Sequence, residues 1–147
     1  MELKQYINRA WSVYKKLLVK EAHLDSLSNT ISKYGEREVE VFPAENSSET
    51  LALRWSDLKK ECEELSYKLL VIDRETNSLL ERLENPNYYT ILYLRYIRRL
   101  SWQDVAEASN YSIQSVYRLH SEGLEALSVI VSSNGDLLEQ VEKGDEL

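Results

Sequence analysis

With 147 residues, 25 acidic against 18 basic side chains and a net charge of −7, the chain has room for one ordinary domain, or for a small domain with a helical arm. Only 4 Gly and 2 Pro stand beside abundant Leu, Glu, Lys and Ser, which excludes a fold built from many short strands and turns. The lone cysteine, Cys62, excludes an intramolecular disulfide and has no zinc-type spacing around it.

From Leu3 to about Tyr34, the residues Leu3, Ile7, Ala10, Tyr14, Leu17, Leu24 and Ile31 keep a seven-residue rhythm broken at Glu21 and Ser28, which predicts one long amphipathic helix. Gly35 is a candidate C-cap, and residues 35–46, polar and interrupted by Phe42-Pro43, read as a loop. Asn46, with Glu49 three positions on, signals the next helix start.

The most regular pattern in the chain comes next. Leu51, Trp55, Leu58, Cys62, Leu65, Leu69, Ile72, Thr76, Leu79 and Leu83 are spaced alternately by four and three, the signature of a coiled-coil seam on a helix from Ser47 to Glu84 of about 55 Å at 1.5 Å per residue. The first helix can fold back to cover this seam, or a second subunit can; both are expected, giving a hairpin arm over residues 1–84 that also assembles into a dimer or tetramer. Leu51, Trp55, Leu58, Cys62, Leu65, Leu69, Ile72, Leu79 and Leu83 are therefore assigned to oligomerisation, with Thr76 as a polar break in the seam. Asn85-Pro86 ends the long helix.

Residues 86–133 read as a second domain. Asn87 to Arg99 is a helix apolar nearly all round, so it is covered on two faces. Ser101 with Asp104 at N3 opens a short helix, Ser109-Asn110-Tyr111 makes a turn in which Asn110 is best able to adopt the left-handed conformation, and Ser112 opens another helix. This is the layout of a helix-turn-helix. Projected at about 100° per residue, the second helix turns Val116, Leu119, Gly123 and Leu127 inward and Gln114, Arg118 and Ser121 outward. An amide, a guanidinium and a hydroxyl in one stripe suit base edges and phosphates in a major groove. Tyr117 borders the stripe, Ser112 sits at its start, and Arg98 and Arg99 just before the turn are candidate phosphate contacts. Arg95 projects nearer the packed side and is expected to pair with Asp104 or Glu107. Ala106 and Gly123 are small where helices should cross closely.

In these residues the chain resembles a known class. Leu92, Leu94-Arg95-Tyr96-Ile97, Ser101-Trp102, Asp104-Val105-Ala106, Ser112 and Val116-Tyr117-Arg118-Leu119-His120 resemble region 4 of sigma-70-type factors, and the Tyr-Arg-Leu-His run after a tyrosine-serine turn is similar to ArpU/RinA-like phage regulators of Gram-positive bacteria. Asn110 stands where many sigma-like sequences have glycine, and Ile113, Ser115 and Tyr117 stand where they often carry charge. The resemblance covers the last third strongly. It implies a sequence-specific DNA-binding regulator, an activator of phage late or packaging genes, with double-stranded DNA and bacterial RNA polymerase as partners. A small terminase subunit that marks phage DNA, or a sigma-like module that grips only the polymerase, are the alternatives.

Charge fits a modest footprint on DNA. Between Pro86 and Leu127 four arginines face four carboxylates, so the whole −7 lies elsewhere, much of it in an acidic tail over 134–147, where a short turn through Leu137 and Leu138 is expected. A single copy should bind weakly. No phosphate loop, paired catalytic carboxylates or nucleophile-base motif occurs, so no enzyme, no catalytic residue, no metal and no cofactor is expected. His120 lies on the inward edge and is read as structural, as are Trp11, Trp55 and Trp102; Cys62 is read as a small hydrophobe. The N-terminus has no signal-peptide core, and no stretch approaches the roughly 20 apolar residues of a spanning helix, which predicts a cytoplasmic protein without membrane contact.

Overall fold

The four-three spacing of apolar residues becomes a buried face. In a computed structural model, which describes residues 2–36 and 48–133, the regular elements are α1 (Leu3–Ile7), α2 (Arg9–Glu36), α3 (Ser48–Leu80), α4 (Pro86–Leu92), a π-helical turn (Tyr93–Ile97), α5 (Trp102–Ser109) and α6 (Ile113–Ser133). The protein is all-α. Leu51, Leu58, Cys62, Leu69, Ile72, Thr76, Leu79 and Leu83 are buried, with Trp55 and Leu65 half-buried, so every seam position faces inward.

The described residues form two compact units, one between Ser12 and Leu70, the other joining those up to Trp11 with those from Val71 on. In the first unit α2 runs antiparallel to α3. Lys20 Nζ meets Glu61 Oε2 at 2.6 Å, and Trp55 Nε1 donates to Ser28 Oγ at 2.8 Å, so rising numbers on one helix meet falling numbers on the other. Ser28, a break in the heptad rhythm, is thus the acceptor that lets an indole enter the seam with its N–H satisfied. Lys20 holds the Glu61 carboxyl below its ordinary range, chiefly through their hydrogen bond. Burial pushes the Cys62 thiol up, as befits a small seam hydrophobe rather than a nucleophile.

In the second unit the far end of α3 shares a core with its neighbours. Tyr6, Ile7, Leu79, Leu80, Leu83, Leu92, Tyr96 and Leu127 form one cluster, and Ile91, Val105, Val116 and Leu119 another. Arg9 Nη1 meets Glu75 Oε2 at 3.1 Å, with its guanidinium 3.9 Å from the centre of the Tyr6 ring.

Several expectations need correction. The N-terminal helix is not continuous: Asn8 donates from its side chain to Lys4 O at 2.8 Å, closing α1 before α2 begins at Arg9. This is the competition for backbone partners that disfavours asparagine inside helices. α2 runs through Gly35 to Glu36, so Gly35 is not its cap. α3 stops at Leu80, not Glu84, and Leu83 reaches the core from a turn. Asn85 caps α4, accepting the Asn87 N–H at 2.9 Å, with Pro86 in the first helical turn where its missing N–H costs nothing. The division at residues 84–86 also moves, because Leu79, Leu80 and Leu83 belong to the core of the helix-turn-helix unit. Finally, the seam assigned to oligomerisation is filled inside the chain, so contact between copies would need another face. The rest of the expected loop, the Asn46 signal and the acidic tail lie outside the described residues.

Candidate nucleic-acid interface

Local chemistry sets the helix-turn-helix. Ser101 Oγ accepts the Asp104 N–H at 3.2 Å and starts α5. Asn110 ends it at φ 61°, ψ 26°, a left-handed conformation that asparagine tolerates better than most side chains. Ser112 Oγ accepts the Ser115 N–H at 3.2 Å and donates to Ser115 Oγ at 3.0 Å, so its hydroxyl caps α6. Val105 of α5 packs with Val116 and Leu119 of α6 over Ile91 of α4, with Ala106 partly buried against them. At Gly123 an added Cβ would lie 3.3 Å from both Leu92 Cδ1 and Tyr88 Cβ, so the close crossing expected there is between α6 and α4.

Packing the inner face presents the outer one. Gln114, Tyr117, Arg118 and Ser121, at i, i+3, i+4 and i+7, are all exposed and form one stripe along α6. The Arg118 side chain is 63% exposed and meets Glu122 Oε1 at 3.5 Å, a surface pair too weak to withhold the guanidinium from a ligand. Glu122 in turn accepts from the Tyr88 hydroxyl at 3.1 Å, a bond that raises the Tyr88 pKa. Arg98, after the π-helical turn, is exposed.

Arg99 is not a surface cation. Its Nη1 donates to both carboxylate oxygens of Asp73, at 2.8 and 3.0 Å, with the two side chains only 12% and 18% exposed. Arg95 does not pair with Asp104 or Glu107; it donates to Leu100 O at 2.8 Å and lies 4.3 Å from the Trp102 ring centre and 5.1 Å from that of Trp11. Of the four arginines in this part of the chain, therefore, Arg98 and Arg118 are the ones that face solvent. The rearrangement that buries Arg95 and Arg99 begins in the π-helical turn, where Arg98 N–H reaches back five residues to Tyr93 O at 3.0 Å. No residue pattern marks that turn in advance.

His120 is half-buried, its Nε2 2.7 Å from the Tyr96 hydroxyl and its ring against the edge of Trp102 at 4.7 Å between centres. Burial first, then the nearby charges of Arg95 and Lys4, hold its pKa below the ordinary histidine value. It braces the head. Trp102 also meets Tyr117 edge-on at 5.2 Å, so the aromatic ring on the outer stripe is supported from beneath. Tyr111 and Ile113, to which the sequence alone assigned no role, are also exposed at the turn and at the start of α6. Their apolar character in a solvent-facing phase is the signal that could have found them.

Among the described residues no cluster of three or more His, Cys, Asp or Glu side chains could hold a metal ion, and no helix is long and apolar enough to cross a membrane.

The short α5 and the longer α6, joined by a tight turn with a left-handed residue and resting on α4, have the layout of a helix-turn-helix. Residues 53–128, just over half of the chain, match the family model described as "Protein of unknown function (DUF1492)", and the chain belongs to that family. The match runs from near the start of α3, through α4 and α5, and into α6 as far as residue 128. No curated protein and no solved structure matches the chain.

Proposed function

We propose that this chain is a sequence-specific DNA-binding transcriptional regulator whose α6 enters the major groove, acting as an activator of phage late or packaging genes. The observation that carries the reading is the exposed stripe Gln114, Tyr117, Arg118 and Ser121 on the second helix of the helix-turn-helix. Arg98 and the Ser112 end of α6 flank it as backbone contacts. A homo-oligomer, dimer or tetramer, belongs to the same reading, because two exposed arginines per head give one copy little hold on DNA. With the seam closed inside the chain, the apolar side chains left for contact between copies on the Ser12–Leu70 unit are the exposed Leu18, Val19, Leu53, Tyr67 and Leu70.

Selection of bound duplexes from random DNA by the intact protein tests the reading. An enriched sequence, with Arg118→Ala weakening its binding by about 1–3 kcal/mol at unchanged helicity, supports it. Absence of any enriched sequence or low-salt binding overturns it. The small cationic surface favours a second reading, a module that docks on RNA polymerase without touching DNA, and co-purification with polymerase in the absence of DNA would support that instead.

A further inference from the structure

Among the described residues of the helix-turn-helix unit, three of the four exposed large hydrophobic side chains, Tyr111, Ile113 and Tyr117, lie where α6 begins. Ile113 is 40% and Tyr117 45% exposed, one turn apart on the same face, while the inner face is already filled by Val116, Leu119, Gly123 and Leu127. Neither of the two has a place in that core. Tyr117 is moreover held by the edge of Trp102, whose ring is fixed by Arg95 and His120, so it offers an oriented apolar surface and loses little rotamer freedom on contact. Beside this pair stand the exposed Gln114 and Arg118, the latter only loosely paired with Glu122, whose amide and guanidinium can both take hydrogen-bonding partners from a ligand. A dry protein contact would leave those partners to be found separately. The major-groove edge of an A·T pair supplies them together: adenine N7 and N6 suit a bidentate amide, and thymine carries the one apolar group among the four bases, its C5-methyl.

On these grounds we infer that Ile113 and Tyr117 read thymine methyl groups, making the preferred site of this head a thymine-rich half-site in which Gln114 reads an adenine. The inference rests on the DNA-binding reading above and adds the base class to it. The poverty in cations then has a counterpart: discrimination comes from apolar contact and one amide, and affinity from pairing heads. Each methyl removed from contact should weaken binding about fourfold, the cost of exposing one buried carbon group.

The test uses the full chain and a duplex it has selected from random DNA, compared with the same duplex in which uracil replaces thymine on both strands. The uracil duplex should bind at least fourfold more weakly, and more than tenfold if two methyls are read. The double variant Ile113→Ser, Tyr117→Ser should bind both duplexes equally, which separates methyl contact from a change in DNA shape; Tyr117→Phe should keep the discrimination, since the ring and not the hydroxyl makes the contact. Should the double variant fail to melt like the parent, Ile113→Ser alone carries the comparison. Equal binding of both duplexes by the parent chain, or discrimination undiminished in the serine variants, overturns the inference while the DNA-binding reading stands. If the chain selects no duplex at all, that reading and this inference fall together. Serine variants that lose polymerase binding and leave DNA binding untouched would overturn it too, assigning the patch to a protein.

Discussion

Arg99 and Asp73 form a nearly buried ion pair, two oxygens to one nitrogen, that ties the segment leading into α5 to the last third of the long helix α3. Arg99 adopts φ 55°, a left-handed conformation that costs a side chain with a Cβ roughly 1–2 kcal/mol. The ion pair and the peptide geometry around it hold the residue there. Removing one partner strands the other charge, so Asp73→Ala and Arg99→Ala should each destabilise the protein by about 3 kcal/mol in urea unfolding, and the double variant by less than the sum of the two. Additive losses, or none, would show that the pair does not anchor the head.

His120 gives the head a pH dependence. Its pKa in the fold is depressed, by burial first and then by Arg95 and Lys4, so the folded protein favours the neutral ring. A depressed folded pKa means that its contribution is fully present above the unfolded value, about 6.5, and is lost as pH falls through the folded one. The melting temperature of the parent should therefore drop more steeply between about pH 7 and pH 5 than that of His120→Gln, which cannot take up the proton. Tyr96, whose hydroxyl meets Nε2 and whose own pKa is raised by burial, stays protonated throughout and adds no slope. Parallel curves for parent and variant would remove His120 from the titration.

Thr76 occupies a seam position, 2% exposed, and its Oγ1 has no hydrogen-bond partner among the described residues. A buried hydroxyl without a partner costs stability that an apolar group of the same shape does not. Thr76→Val should raise stability by about 1 kcal/mol, seen as a higher urea midpoint at constant slope. A loss of stability would mean that the hydroxyl is satisfied in solution and sets the register of the helix pair.

These three sites also mark how far sequence alone reached. The seam was legible because nine residues from Leu51 to Leu79 repeat one spacing on α3, with Leu83 continuing it just beyond, and that periodicity is a property of a helix considered by itself. The caps at Ser101 and Ser112, the left-handed Asn110 and the inward face Val116, Leu119, Gly123 and Leu127 were legible for the same reason: each depends on residues close by on the same helix or turn. The features that sequence missed join distant parts of the chain. Nothing in the run Ile97-Arg98-Arg99-Leu100 separates the arginine that meets Asp73, 26 residues away, from the one that faces solvent. Nor does the spacing of Leu79 and Leu83 tell whether they finish one unit or begin another; Tyr6, Ile7, Leu92 and Leu127 decide it by packing there. Similarly, heptad spacing predicts that a seam is covered but not by which chain.

The separation of Arg98 and Arg118 from Arg99 makes a prediction about salt. Each phosphate neutralised by a protein cation lowers the slope of log affinity against log salt by about 0.9. Two exposed arginines give one head a slope of about −2, and two heads bound together about −4. Pairing heads turns the second contact into an intramolecular event and can raise avidity by about 10² to 10⁴ without new contacts. The intact protein on its selected duplex should therefore show a slope near −4 if it binds as a pair. Arg98→Ala and Arg118→Ala should each reduce that magnitude by about 2, one phosphate lost per head. Asp73→Asn, which leaves Arg99 charged inside the fold, should not change it, and Arg99→Gln should not either, provided the comparison is made where both variants remain folded by circular dichroism. A slope that falls with Arg99→Gln and not with Arg98→Ala would reverse the assignment: the arginine now paired with Asp73 would be the one that leaves its partner to meet the phosphate.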